Sequence, residues 1–220
     1  MPDVLMQYQA EIWQAIGETF IMVGFSILAA ILVGLPVGTF LFLCRKDQLL
    51  ENQLVFSSLN LLVNIIRSFP FLLLVIFLIP FTRFIIGTAF GTAAATVPLT
   101  IIAIAHYSRL VEQSLLDIPK GVLEAAVSMG ASIKNIIFKF LFVEARSGLV
   151  LGLTTSTISF ISYSTIMGVV GGGGIGDFAI RYGYQQFRTD LMMYMIVIMV
   201  ILVQFIQFTG ITIATKIDKR

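Results

Sequence analysis

Long apolar runs separated by short polar segments set the pattern of this chain. A helix rises about 1.5 Å per residue, so ~20 largely apolar residues are needed to cross ~30 Å of hydrocarbon. Five stretches reach that length, at residues 19–44, 59–81, 88–110, 148–170 and 191–213. Each is predicted to be a helix, because an open strand edge in lipid would leave backbone amides unpaired. The pattern therefore predicts an all-α membrane protein, with residues 1–220 forming a single transmembrane domain. Ahead of the first span, Leu5, Tyr8, Ile12 and Ile16 recur at helical spacing and Trp13 suits the headgroup level. That segment is expected to lie along the outer surface as an anchor or to extend the first helix.

Composition agrees: 58% of the residues are hydrophobic, 12% are charged, and the mean hydropathy is +0.98. Soluble domains average roughly 25% charged residues. A solitary cysteine, Cys44, and a solitary histidine, His106, argue against a disulfide scaffold, a zinc site or a cluster, and no cofactor is expected in this chain. A net charge of +2 argues against nucleic acid as a partner. The placement of the basic residues carries more. Arg45, Lys46, Arg109, Lys120, Lys134, Lys139, Arg146, Lys216, Lys219 and Arg220 fall on one side of the spans, and Arg83, Arg181 and Arg188 on the other. The first side is expected to face the cytoplasm, which puts the N-terminus, with Asp3, Glu11 and Glu18, outside and the C-terminus inside. The first span is too long for a signal core, follows no basic residue and precedes Arg45-Lys46, so it is expected to remain in the protein.

Several residues do not fit plain lipid-facing helix. The inner loop at about 111–147 contains two short helices by pattern: Pro119 opens the first, Gly130 provides a left-handed exit, and Ser132 caps a second that runs into Ile136, Ile137, Phe140 and Leu141. Small Ala125 and Ala126 would let another protein approach. Arg67 lies inside the second span, where an unpaired charge is costly, and Pro70 kinks the helix beside it. It reads either as a pathway residue or as an interhelical tie. The fourth span carries Thr154, Thr155, Ser156, Thr157, Ser159, Ser162, Ser164 and Thr165, with Thr154, Thr157, Ile161 and Thr165 on one stripe. Those hydroxyls read as path lining or as helix-packing contacts. Gly34 and Gly38 flank Pro36 as a packing face. Gly171, Gly173 and Gly176 spell G-x-G-x-x-G, but no strand precedes them and the side is wrong for a nucleotide, so they are expected to permit a tight turn. His106 has no second histidine or nearby cysteine and reads as structural.

Glu124-Ala125-Ala126, three residues, then Gly130, in a cytoplasmic loop before the penultimate span, resembles the EAA motif of permease subunits of bacterial ABC importers. The family pattern continues to a Leu-Pro pair, and Val143 stands where that Pro would fall. Arg67-Ser68-Phe69-Pro70-Phe71, Ile79-Pro80-Phe81-Thr82-Arg83, Val97-Pro98-Leu99-Thr100 and Tyr182-Gly183-Tyr184-Gln185 resemble the methionine-importer branch. The resemblance implies a type I importer permease fold in the bacterial cell membrane, a homodimer, two copies of a cytoplasmic ATPase, and an extracytoplasmic methionine-binding protein. It implies uptake of D- or L-methionine by alternating access, with hydrolysis in a separate subunit and no catalytic residue here. Glu124, Ala125, Ala126 and Gly130 would couple to the ATPase. Arg67, Thr154, Thr157, Ile161 and Thr165 would line the path, and Asp177, Arg181, Tyr182, Tyr184 and Arg188 would meet the binding protein. The alternatives are an importer permease for another amino acid or small solute, and a self-contained secondary transporter, which would leave the inner loop unexplained.

Overall fold

The computed structural model describes residues 6–218. Asp3, Leu5, Lys219 and Arg220, used in the topology and N-terminal readings, lie outside the described residues. Among the described residues every regular element is helical.

The first helix, α1, is continuous over Gln9–Leu43, so it starts well before the expected span. The extension forms because Tyr8, Ile12 and Ile16 have an apolar surface to cover, made by Ile175, Phe178, Leu191 and Met195. Near its middle the helix widens into a π turn at Ala30–Gly34, just before Pro36. A proline removes one N–H and crowds the carbonyl four residues back, and a wide turn relieves that crowding.

The second expected span is broken. Helix α2 (Gln53–Ser68) and helix α3 (Phe71–Phe77) meet at 105° across Phe69-Pro70, and α4 (Ile79–Ile86) follows. Pro70 therefore does more than kink the helix. It cannot donate to the α2 ladder, and it holds Phe69 in the extended conformation that residues before proline prefer. Asn52 starts α2 by accepting from the Leu54 and Val55 N–H groups, both at 3.1 Å.

Helix α5 (Thr92–Leu116) is the hub, packed against α1, α2, α3, α4 and the long helix α7 (residues 133–169). Most of its buried residues are small or aliphatic, including Ala94, Ala95, Leu99, Ala103, Val111 and Leu115. Gly34 and Gly38 let α1 approach it closely: a Cβ on Gly34 would lie 3.0 Å from the Ile104 carbonyl oxygen, and one on Gly38 would lie 2.7 Å from the Val111 Cβ. At one end of α5, Glu112 is 1% exposed. Arg109 donates to it at 2.6 Å and Arg45 at 3.4 Å, while Arg109 also donates to the Asn60 Oδ1 at 3.1 Å. One buried carboxylate thus ties the chain just after α1 to α5, and Arg109 extends the link to the middle of α2.

After α6 (Lys120–Ser128), α7 runs from Ile133 to Val169 through a π turn at Ile136–Leu141. Val143 keeps the N–H that a proline would lack, and the chain stays helical through it. A short helix α8 (Gly174–Phe178), widened through Ala179–Gln185, leads to α9 (Thr189–Ile217). Among the described residues three helices are long and apolar enough to cross a membrane, Gln9–Leu43, Thr92–Leu116 and Thr189–Ile217, or four if the bent α2–α3 pair counts as one crossing. Helix α9 shows Val197, Val200, Ile201, Phe205 and Phe208 to the outside, an apolar surface suited to lipid.

The α1–α5 seam yields a prediction. Gly38→Leu must push α1 from α5 and is expected to cost about 1–3 kcal/mol, the usual price of overpacking. Gly24→Leu, with nothing within 4 Å of its Cβ, should be neutral. Thermal unfolding of the detergent-solubilised protein, read by a thiol dye reaching the buried Cys44, checks the contrast; equal midpoints for the two variants would contradict the seam.

Candidate coupling, pathway and docking sites

The loop helix α6 is stopped in the way the sequence suggested. Gly130 has φ +71°, its N–H donates to the Val127 carbonyl at 2.9 Å, and the Ala131 N–H donates to the Ala126 carbonyl at 3.1 Å. This pair of bonds is a Schellman stop, and a left-handed residue is needed between them. Ser132 then caps the next helix through the Asn135 N–H. Glu124, Ala125 and Gly130 are exposed. Ala126 is fully buried in the chain's own core, in the cluster that holds Leu115, Ile118, Ile136 and Leu141. It fastens α6 to the bundle, so of the two alanines only Ala125 presents its surface outward. A groove beside Glu124 is bounded on its other side by Asp47, Gln48 and Leu49 of the α1–α2 loop.

The α7 stripe is directed inward. Thr157 is buried and Ile161 is in the core, Thr154 packs against Gly210 of α9, and Thr165 packs against Gly176 of α8. The hydroxyls do not depend on neighbours: Thr154, Thr155, Thr157, Ser159, Ser162 and Thr165 each donate to a carbonyl four residues back at 2.8–3.3 Å, and Ser164 donates three back at 2.7 Å. Ser156 is buried with its hydroxyl unpaired. The exposed hydroxyls of α7 are Thr155 and Ser162, with Ser159 between them half-buried. Arg67 is exposed beside the α2–α3 break, and His106 edges onto Phe160 with ring centroids 6.1 Å apart.

At the opposite end, the glycine turn is a built corner. Gly171, Gly173 and Gly174 have φ of +80°, +79° and +88°. The Gly174 N–H donates to the Glu18 carboxylate at 2.7 Å and the Ile175 N–H to the Thr19 hydroxyl at 2.9 Å, so α1 caps α8. Asp177 is buried and ion-paired to Arg181. Tyr182 packs on Tyr8 and Phe178, while Arg188 lies over the Tyr8 ring and 3.7 Å from Asp190. Of the expected docking residues, Asp177, Tyr182 and Arg188 thus hold the corner together, and Tyr184 stands out at 70% exposure. Phe187, which the pattern did not single out, is 90% exposed with φ +57°.

The family model described as "Binding-protein-dependent transport system inner membrane component" matches residues 30–220. A probable D-methionine transport system permease protein of Vibrio cholerae is 42% identical over 92% of this chain and 90% of its own length. A methionine import system permease protein of Bacillus subtilis is 42% identical over 96% of this chain and 95% of its own. Among solved structures, a chain of the MetNI methionine ABC transporter in an inward-facing conformation superposes with a TM-score of 0.94 at 38% identity, covering 100% of both chains. These similarities extend through the loop that carries α6, the broken helix and the glycine corner alike. The chain belongs to the family of binding-protein-dependent transport system inner membrane components, and it is a membrane transport subunit, not an enzyme.

Proposed function

We propose that this chain is the permease of a methionine importer, working as a homodimer with two ATPase subunits and a binding protein that delivers D- or L-methionine from outside. The observation that carries this reading is the near full-length similarity to methionine permeases in sequence and fold. Residues 1–220 act as one transmembrane domain. Each protomer crosses five times, with α1, the broken α2–α3–α4 segment, α5, α7 and α9 as crossings, the N-terminus outside and the C-terminus inside. The Lys/Arg asymmetry supports the orientation. The 28 residues of Phe142–Val169 suffice in length, and their back-bonded hydroxyls remove the main cost of placing that helix in lipid.

Coupling follows from rigidity. Helix α6 is held at one end by the Gly130 stop and along its inner face by Ala126, so a push on its exposed face moves α7 and the α5 hub with it. Closing two ATPase subunits on ATP would bring both α6 helices together and rock the protomers between inward and outward access. Glu124, Ala125 and Gly130 present that contact, together with Val127 and Met129, both well exposed. Arg67 lines the path at the α2–α3 break. Thr154, Thr157, Ile161 and Thr165 belong to the same helix and transmit its tilt from within the bundle. Arg181, Tyr184 and Phe187 form the outer patch offered to the binding protein.

Two tests follow. Ala125→Trp should clash at the ATPase face, and Gly130→Val places a β-branched residue in the left-handed region at about 1–2 kcal/mol or more. Both variants are expected to insert in the membrane yet lose most of the co-purifying ATPase or its stimulation by loaded binding protein. Gly121→Ala, an exposed position with nothing within 4 Å, should behave as the parent. Full ATPase binding and stimulation in both loop variants would refute the coupling role.

A topology label must sit outside the glycine corner, where φ is positive at Gly174 and Thr19 and Met22 fill the space a side chain would need. In a Cys44→Ser background, Tyr184→Cys should react with an impermeant maleimide in intact spheroplasts. Lys46→Cys should react only after the membrane is opened. The reverse pattern would overturn the orientation.

A further inference from the structure

The geometry points to Arg67 as the group that receives the carboxylate of the transported amino acid within the membrane, an inference that rests on the importer reading above. Arg67 is exposed on the protomer and makes no hydrogen bond or ion pair among the described residues. Arg45 and Arg109 pair with Glu112, Arg181 with Asp177, and Arg188 with Asp190, while Arg67 shares its lack of a partner among the described residues with Arg83 and Arg146 and differs from them in standing at the α2–α3 break. His106 is near enough to feel the Arg67 charge, and it supplies no negative charge to balance it.

Depth narrows what the free guanidinium can meet. Arg67 stands next to the last residue of α2, roughly 20 Å along the helix axis from its start at 1.5 Å per residue. Lipid phosphates lie at the membrane faces, beyond the reach of a side chain from there. An unpaired charge at that depth persists only where it faces a water-filled path or a protein partner.

The surroundings suit a zwitterion with an apolar side chain. The α2 helix stops at Ser68 with Phe69 extended and no backbone capping bond, and Pro70 has no N–H to offer. Its last carbonyls are therefore open, at the helix end that carries partial negative charge. An amino-acid carboxylate matches the planar fork of a guanidinium in two parallel hydrogen bonds, and its ammonium matches the carbonyl end beside it. Interrupted membrane helices use their ends this way in other transporters. Next to this pair, Phe69 and Phe77 stack with centroids 5.8 Å apart and are 37% and 68% exposed. They offer ring edges of the kind a thioether favours.

The test uses the assembled permease–ATPase complex in proteoliposomes with binding protein loaded with radiolabelled methionine. Arg67→Gln should lower uptake at least about tenfold while stimulated ATP hydrolysis stays near the parent rate, so that hydrolysis runs without delivery. Arg67→Lys, which keeps the charge and loses the fork, should recover a measurable part of the uptake. Uptake by Arg67→Gln at the parent rate would overturn the assignment. So would parallel loss of uptake and of stimulated hydrolysis in a complex that still assembles, because that result describes a structural tie. Parent uptake in the same vesicles judges the importer reading separately: if the parent complex imports methionine and Arg67→Gln does too, only the carboxylate assignment fails.

Discussion

Hydrocarbon offers no hydrogen bonds, so each polar group of a membrane helix must find its partner in its own helix or on a neighbour. The architecture follows from how this chain meets that constraint. Apart from the buried Ser156, the serine and threonine hydroxyls of α7 from Thr154 to Thr165 are satisfied by carbonyls of their own helix, so they ask nothing of lipid. Glu112 is buried and held by Arg45 and Arg109. Removing Arg109, the closer partner, would leave the buried Glu112 with only the half-exposed Arg45 at 3.4 Å. The open turn at 171–174 gives its free N–H groups to Glu18 and Thr19. Arg67, exposed and without a hydrogen bond or ion pair among the described residues, stands beside the 105° bend between α2 and α3.

These polar ties sit at the ends of the bundle, and close contact holds its middle. Gly34, Gly38 and Gly210 replace side chains where helix must touch helix, which is how helices associate when lipid tails are as apolar as leucine. A bundle packed that closely moves as a body and does not bend locally. Ala126 extends the same packing to α6, so the loop helix is part of that body.

The sequence made legible what depends on local pattern. Apolar runs gave the helices, and Pro119, Gly130 and Ser132 gave the stop and restart of the inner loop to the residue, because caps act over three or four positions. What it left hidden depends on direction in space. Ala126 reads as a small surface residue beside Ala125, yet one step along a helix turns it into the core. Thr157 and Ile161 form a stripe whose facing cannot be read without knowing where α9 and α8 lie. Asp177 and Arg188 read as surface charges although ion pairs and the Tyr8 ring occupy them. Glu112 carries no signal in the local pattern, because one of its partners, Arg45, comes from a distant part of the chain. The break at Pro70 was foreseen as a kink, and its 105° depends on the separate helices that follow.

The account stands on import of methionine powered by a separate ATPase through this permease. Its most direct test is uptake of radiolabelled methionine into vesicles containing the purified permease–ATPase complex, with binding protein outside and ATP trapped inside. The account predicts accumulation above the external concentration that requires ATP, the binding protein and the permease together, and that an excess of unlabelled methionine abolishes. Equilibration without ATP, or ATP-driven accumulation of another solute with methionine ignored, would contradict it.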